Sequence, residues 1–176
     1  MNTLIRAVRP LGGQALSDVT LVAGEAGGKI TAVEPHDPAR VVTGGVTVVE
    51  GRGRLLLPSF SDVHVHLDST RIGLPFREHT GGPGVWTMMM NDRQNWRNAE
   101  VPLQDRVNDT LGRMIARGTT RVRSYAQVDV DCRLERFNAV AAAKEKFAGQ
   151  APWTSSLSPR PGCCWRKGRW SSWRRR

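Results

Sequence analysis

The sequence predicts an α/β chain in which a small β unit precedes βα units on a parallel sheet. Residues 3–57 break into short Val-, Ile-, Leu- and Thr-bearing runs separated by glycine pairs. Residues 62–149 then spell strand, long loop, helix, strand, helix, the alternation that builds parallel sheets. No run approaches the roughly 18 consecutive apolar residues that a membrane-spanning helix needs.

Composition narrows the class. At 176 residues there is room for one domain or one and a half. A hydrophobic content of 39% excludes a disordered chain, and 18 Gly with 10 Pro make it loop-rich. The start, Met-Asn-Thr-Leu-Ile-Arg-Ala-Val-Arg, has no apolar core of signal-peptide length, which predicts the cytoplasm. Cys132, Cys163 and Cys164 form an odd set without metal-ligand spacing, and a disulfide framework is not indicated. The net charge of +10 is unevenly placed. Residues 1–150 hold 19 Lys and Arg against all 16 Asp and Glu, a balance of +3. Residues 151–176 hold 7 basic residues and no acidic ones. The basicity therefore belongs to the tail.

The first unit comes from residues 3–9, 16–24, 29–35 and 45–57, read as strands of a small antiparallel unit. Turns are expected at Gly12-Gly13, Gly27-Gly28 and Gly44-Gly45. Asp18–Val22 and Gly28–Val33 are expected to form a hairpin. His36 falls at its end, beside Asp37-Pro38, and reads as a surface-loop histidine.

Next comes Leu-Leu-Leu-Pro-Ser-Phe-Ser-Asp-Val-His-Val-His-Leu-Asp, Leu55–Asp68. His64 and His66 sit two apart in an apolar, β-branched run. Strand side chains alternate, so both imidazoles would project from one face and could hold one cation. Imidazole suits Zn, Fe, Ni and Cu. The same pattern also reads as two half-buried histidines on an edge strand. Strict alternation puts Asp68 on the histidines' face, where it could reach substrate; as the last residue of the run it could equally cap the following loop.

Residues 69–100 read as a long connection with little periodicity, a kind of loop that is usually functional or disordered. His79, within it, reads as a solvated loop residue. Met88-Met89-Met90 is either a buried half-turn or a pocket wall. Residues 102–117 predict a helix. Pro102 suits the first turn, Leu103, Val107, Leu111, Met114 and Ile115 make one stripe, and Gly118 suits the end. A strand over 119–128 follows. A second helix over 132–148 is expected to bury Leu134, Phe137, Ala141 and Ala148, with Gly149 ending it.

A β unit feeding Leu55–Asp68, then a long loop and a helix leading to Arg-Gly-Thr-Thr-Arg-Val-Arg-Ser, resembles the start of an amidohydrolase-superfamily enzyme. It looks most like the cytosine-deaminase branch, over about residues 3–153. Pro58–Asp68 is the most specific part, supported by Ile115–Ser124. The resemblance implies a β-sandwich piece over 1–57 and the start of a (β/α)₈ barrel over 58–153. It implies His64 and His66 as metal ligands at the C-terminal end of the first barrel strand, where barrel enzymes keep their chemistry. Asp68 and the 69–100 loop would lie near the substrate mouth. Zn²⁺ or Fe²⁺, held in the family by two further His and an Asp from later strands, activates water for attack at a C–N carbon. The implied substrate is a small amino-heterocycle or cyclic amide, with no nucleic-acid and no membrane partner. The chain departs from the family pattern at Ser59, where Gly is usual, and at Tyr125, where the cytosine deaminases tend to have His.

After Trp153 the composition breaks. Residues 154–176 carry three Trp, seven basic residues and Cys163-Cys164 without periodicity. GC-rich codons can be written for Gly162–Arg176 so that the neighbouring frame reads Leu-Leu-Leu-Glu-Glu-Gly-Thr-Val-Glu-Leu-Leu-Glu-Glu-Ala, an amphipathic helix. The expectation is a frameshift near Thr154, giving a disordered, out-of-frame tail and an inactive fragment that binds metal weakly. No catalytic residue is assigned. A barrel needs roughly 200 residues or more, so strand 119–128 would be left as an open edge. The alternative is a basic, Trp- and Arg-rich nucleic-acid-binding protein, since such side chains track phosphates and stack on bases.

Overall fold

The computed structural model describes residues 2–23, 28–78, 80–148 and 158–161. His79, Gly27, Gly149 and most of the tail, with Cys163 and Cys164, lie outside the described residues. The chain is mixed α/β and divides into two units, Met1–Ser59 and Phe60–Arg176. Among the described residues no helix is long and apolar enough to cross a membrane.

The first unit is one sheet of β1 (Asn2–Pro10), β2 (Ser17–Val22), β3 (Lys29–Pro35), β4 (Val46–Glu50) and β5 (Leu55–Leu56). The order is β3-β2-β1-β4, with β5 also on β1. The hairpin forms as expected between β2 and β3. The unit is mixed, not purely antiparallel, because β4 and β5 both run parallel to β1. Ala7, at φ 50°, lies where the β1–β2 register is interrupted, between Ile5 and Val8. There the Gly51 N–H reaches Arg6 O at 2.7 Å and the Gly53 N–H reaches Ala7 O at 2.6 Å. A Cβ at Gly51 would lie 2.1 Å from Val8 Cγ1 and 2.7 Å from Arg6 O, so only glycine fits this approach.

Leu4, Val8 and Val19 form the buried apolar set, with Asp18 among them at 0% exposure. Asp18 Oδ1 accepts the Ala7 N–H at 3.0 Å and lies 2.7 Å from His36 Nδ1. Burial pushes this carboxyl up, but the Ala7 N–H and His36 outweigh it and leave it below the ordinary carboxylate range. His36 is thus a partly buried partner of Asp18, not a freely solvated loop residue.

The second unit contains β6 (Phe60–Val65), a 3₁₀ turn (Leu67–Ser69), α1 (Val85–Asn95), α2 (Leu103–Ala116), β7 (Thr119–Val128), α3 (Glu135–Phe147) and β8 (Ser158–Pro161). The sheet is parallel, in the order β6-β7-β8. The α2 stripe packs as expected: Val107 and Leu111 are buried, with Leu103, Met114 and Ile115 around them. Gly118 takes φ 89° and returns its N–H to Ile115 O at 2.9 Å, closing the helix. Arg106, also buried, donates to the carbonyls of Thr70, Trp96 and Val101 and so ties down irregular backbone on both sides of α1.

In the second unit three expectations are corrected. The face of α3 that is buried is Arg136, Ala139, Val140, Ala143 and Phe147, while Leu134 is 54% exposed. Positions 136, 140, 143 and 147 are a regular helical stripe headed by an arginine, so counting apolar residues alone selects the wrong face. The 69–100 connection holds a helix, α1, which buries no residue. With no side to hide, it carries no periodic signal. Ser158–Pro161 forms a strand within the tail, parallel to β7 over Tyr125–Val128, so β7 is central and not an open edge.

Candidate functional site

The site lies at the carboxyl end of β6. Phe60 pairs with Thr119 and Asp62 with Val122, but Val65 pairs with Ser124. Between Asp62 and Val65, β6 therefore spends three steps against two on β7. Such a bulge bends the strand and re-aims its side chains. Asp62 Oδ1 accepts the His64 N–H at 3.0 Å within it. His66 leaves the strand at φ −110°, ψ 81° and leads into the 3₁₀ turn. Leu67 enters the core, its N–H 3.3 Å from Ser124 Oγ on β7.

The rings of His64 and His66 converge, with Nε2 to Nε2 at 3.3 Å and centroids 5.3 Å apart. Two imidazole nitrogens on one tetrahedral Zn²⁺, each about 2.0–2.1 Å from it, stand about 3.3–3.4 Å apart. The spacing thus fits two ligands of one ion. It equally fits a hydrogen bond between the rings when one of them carries a proton on that nitrogen. The Tyr125 ring on β7 lies 4.6 Å from that of His64 and 5.8 Å from that of His66. Among the described residues no third His, Cys, Asp or Glu joins the pair as a metal-holding cluster. Catalytic zinc sites use three protein ligands, so the donor set here fits a metal in part.

Asp68 does not continue the strand. The 3₁₀ turn tucks it beneath His66 at 0% exposure. Its Oδ2 meets Arg136 Nε at 2.8 Å and accepts the Gln127 N–H at 2.9 Å. Its Oδ1 is buried without a hydrogen-bond partner and lies 3.8 Å from His66 Nδ1. Arg136, also at 0% exposure, further reaches Asp92 Oδ2 at 2.9 Å and Gln127 Oε1 at 3.2 Å, and lies over the Trp96 ring at 5.2 Å. The sequence reading did not find Arg136 or Gln127. The available signal was the arginine at the head of the α3 stripe, a position where a charge must be paired.

The loop after β7 is organised by Asp129. Its carboxylate accepts the N–H groups of Asp131 at 2.8 Å and Cys132 at 2.9 Å, and Gln127 Nε2 at 2.7 Å. Burial pushes this group up, but those hydrogen bonds win and hold it at about 2. Burial pushes the Cys132 thiol up, which makes it a packing group and not a nucleophile.

No protein-family profile matches the chain. It is 28% identical over 79 residues to "Uncharacterized protein YahJ" of Escherichia coli K12, spanning 44% of this chain and 17% of that protein. Its structure is similar to N-isopropylammelide isopropylaminohydrolase from Burkholderia multivorans, with a TM-score of 0.72 at 26% identity over 91% of this chain. The chain has the fold of part of an amidohydrolase. Two further amidohydrolase-type likenesses, both at the level of fold, are 5-methylcytosine deaminase from Klebsiella pneumoniae liganded with phosphonocytosine (TM-score 0.58, 22% identity, 88% of this chain) and a triazine hydrolase from Arthobacter aurescens (0.61, 16%, 89%). The chain spans 38%, 36% and 35% of these three enzymes' lengths. The nucleic-acid-binding reading draws no support from the fold or from these likenesses.

Proposed function

We propose that the chain is the opening part of a metal-dependent hydrolase acting on non-peptide C–N bonds, of cytosine-deaminase type. In this reading β1–β5 belong to a β-sandwich, and β6 and β7 are the first strands of a (β/α)₈ barrel. His64 and His66 hold a divalent cation, Zn²⁺ or Fe²⁺, and the observation that carries this is their 3.3 Å Nε2 separation. When bound, the cation activates water for attack at a C–N carbon. The substrate is a small amino-heterocycle or cyclic amide, in keeping with the cytosine analogues held by the Klebsiella deaminase. Tyr125, beside both rings, faces the same space and would help choose among such heterocycles. Asp68, fully buried next to His66, is assigned in this reading to the floor of the site.

Among the described residues no third ligand joins the two imidazoles, which in this reading makes the chain a weak metal binder with little or no turnover of its own. We read residues 154–176 as translated out of frame. Sequencing the coding DNA tests that: stop codons in the shifted frame, or no further βα units there, would sink it. The activity is tested by restoring the frame and measuring ammonia release from a panel of amino-heterocycles, with His64→Ala and His66→Ala as controls. Release that survives both substitutions, or no release from any compound, overturns the reading.

A further inference from the structure

Asp68 presents an unusual arrangement. One carboxylate oxygen pairs with the Arg136 guanidinium and accepts the Gln127 N–H, while the other is buried, lacks a hydrogen bond and lies 3.8 Å from His66 Nδ1. A buried acceptor left unsatisfied is costly, and such atoms are rare enough to need a reason. The nearby ring offers one. If Nδ1 of His66 carries the proton, Asp68 Oδ1 is a buried acceptor 3.8 Å from it, and Nε2, 3.3 Å from His64 Nε2, keeps its lone pair. Metal-bound histidines are commonly oriented in this way, by a carboxylate on the other ring nitrogen.

We propose that Arg136 and Asp68 act as a positioning pair for His66: the arginine of α3 holds the carboxylate, and the carboxylate selects the Nδ1–H tautomer that frees Nε2 for a cation. This rests on the reading of His64 and His66 as ligands. Arg136 suits the role because it is fixed independently of the histidines. It is fully buried, paired with Asp92 and placed over Trp96. Its guanidinium also reaches the Asp68 carbonyl at 3.4 Å, so one side chain holds both the backbone and the carboxylate of the turn. Lysine lacks the planar fork needed for these simultaneous contacts.

The test uses the full chain, ¹⁵N-labelled at histidine, at alkaline pH. Long-range ¹H–¹⁵N spectra read the His66 tautomer, and Co²⁺ titration followed by visible absorption reads the ligand pair. The expected result is an Nδ1–H tautomer at His66 in the native chain. Asp68→Asn is expected to shift that tautomer and to weaken Co²⁺ roughly 10–100-fold. Arg136→Lys should do the same in smaller measure, with unchanged circular dichroism. An Nε2–H tautomer in the native chain overturns the proposal even if every variant fails to fold. So does a folded Asp68→Asn chain with native tautomer and native Co²⁺ affinity. If His64→Ala and His66→Ala leave Co²⁺ binding unchanged, the metal reading fails, while the tautomer comparison still decides the role of Asp68.

Discussion

Arg136 Nε lies 2.8 Å from Asp68 Oδ2, and neither side chain is exposed to solvent. Each would be expensive alone in that position, since a buried charge without its partner costs far more than the pair contributes. Arg136→Met is therefore expected to destabilise the chain by about 3–5 kcal/mol. Arg113→Ala, which removes a half-exposed pair with Asp109, is expected to cost no more than about 0.5 kcal/mol. Urea unfolding of both variants checks the contrast. Combining Arg136→Met with Asp68→Asn should cost less than the two single changes added together. An additive double variant would mean that the pair is not coupled.

The convergence of His64 and His66 makes a second expectation. His64→Ala or His66→Ala leaves one imidazole, so Co²⁺ affinity should fall by more than the roughly 10–100-fold typical of outer-shell changes. Tyr125→His should act in the opposite sense. Its ring lies near both histidines, so the change brings a third nitrogen donor to the cluster. Calorimetric titration measures both directions, and a Tyr125→His chain that binds no more tightly would show that β7 points its side chain away from the ion.

Asp129 makes stability depend on acid. Its carboxyl sits at about 2 against an ordinary 3.8, so folding favours the ionised form. The stabilisation is complete above about pH 4 and is lost as pH falls from there towards 2, because the unfolded chain then binds a proton that the folded chain resists. It amounts to roughly 2 kcal/mol. Asp129→Asn should lower stability at neutral pH by an amount of this order and flatten the acid limb of the curve. Asp18, also held low, keeps part of that limb in the variant. Unfolding midpoints across the acid range provide the measurement, and an unchanged limb would remove Asp129 from the account.

Gly51→Ala tests the close approach on which the first sheet depends. The added methyl would meet Val8 Cγ1 at 2.1 Å and the Arg6 carbonyl at 2.7 Å. Backbone cannot swing aside as the tip of a flexible side chain can, so a loss of about 1–3 kcal/mol or more is expected. Gly44→Ala, with nothing within 4 Å of the new carbon, is the matched control. Equal thermal midpoints for the two variants would contradict the packing described for β1.

Much of the second unit was legible in the sequence because its signals are local. The α2 stripe and Gly118 identified a helix and its end, and alternation placed the two imidazoles together. What escaped notice depends on partners far along the chain. Arg136 reads as a surface charge until Asp68 is seen beneath it. Asp68 reads as a strand residue until the 3₁₀ turn takes it inward. The α1 helix buries nothing and so leaves no pattern, while the parallel pairing of β4 and β5 on β1 joins strands far apart along the chain.

The Arg136–Asp68 link also bears on the order of events in folding. The two residues are 68 positions apart, with α1, α2 and β7 between them. Closing so long a loop costs entropy that local helix formation does not. α2 and α3 can therefore begin to form early, while the turn below His66 is expected to take its final shape only after α3 has docked. On a nascent chain, the two imidazoles would be synthesised well before Arg136, the buried partner of Asp68.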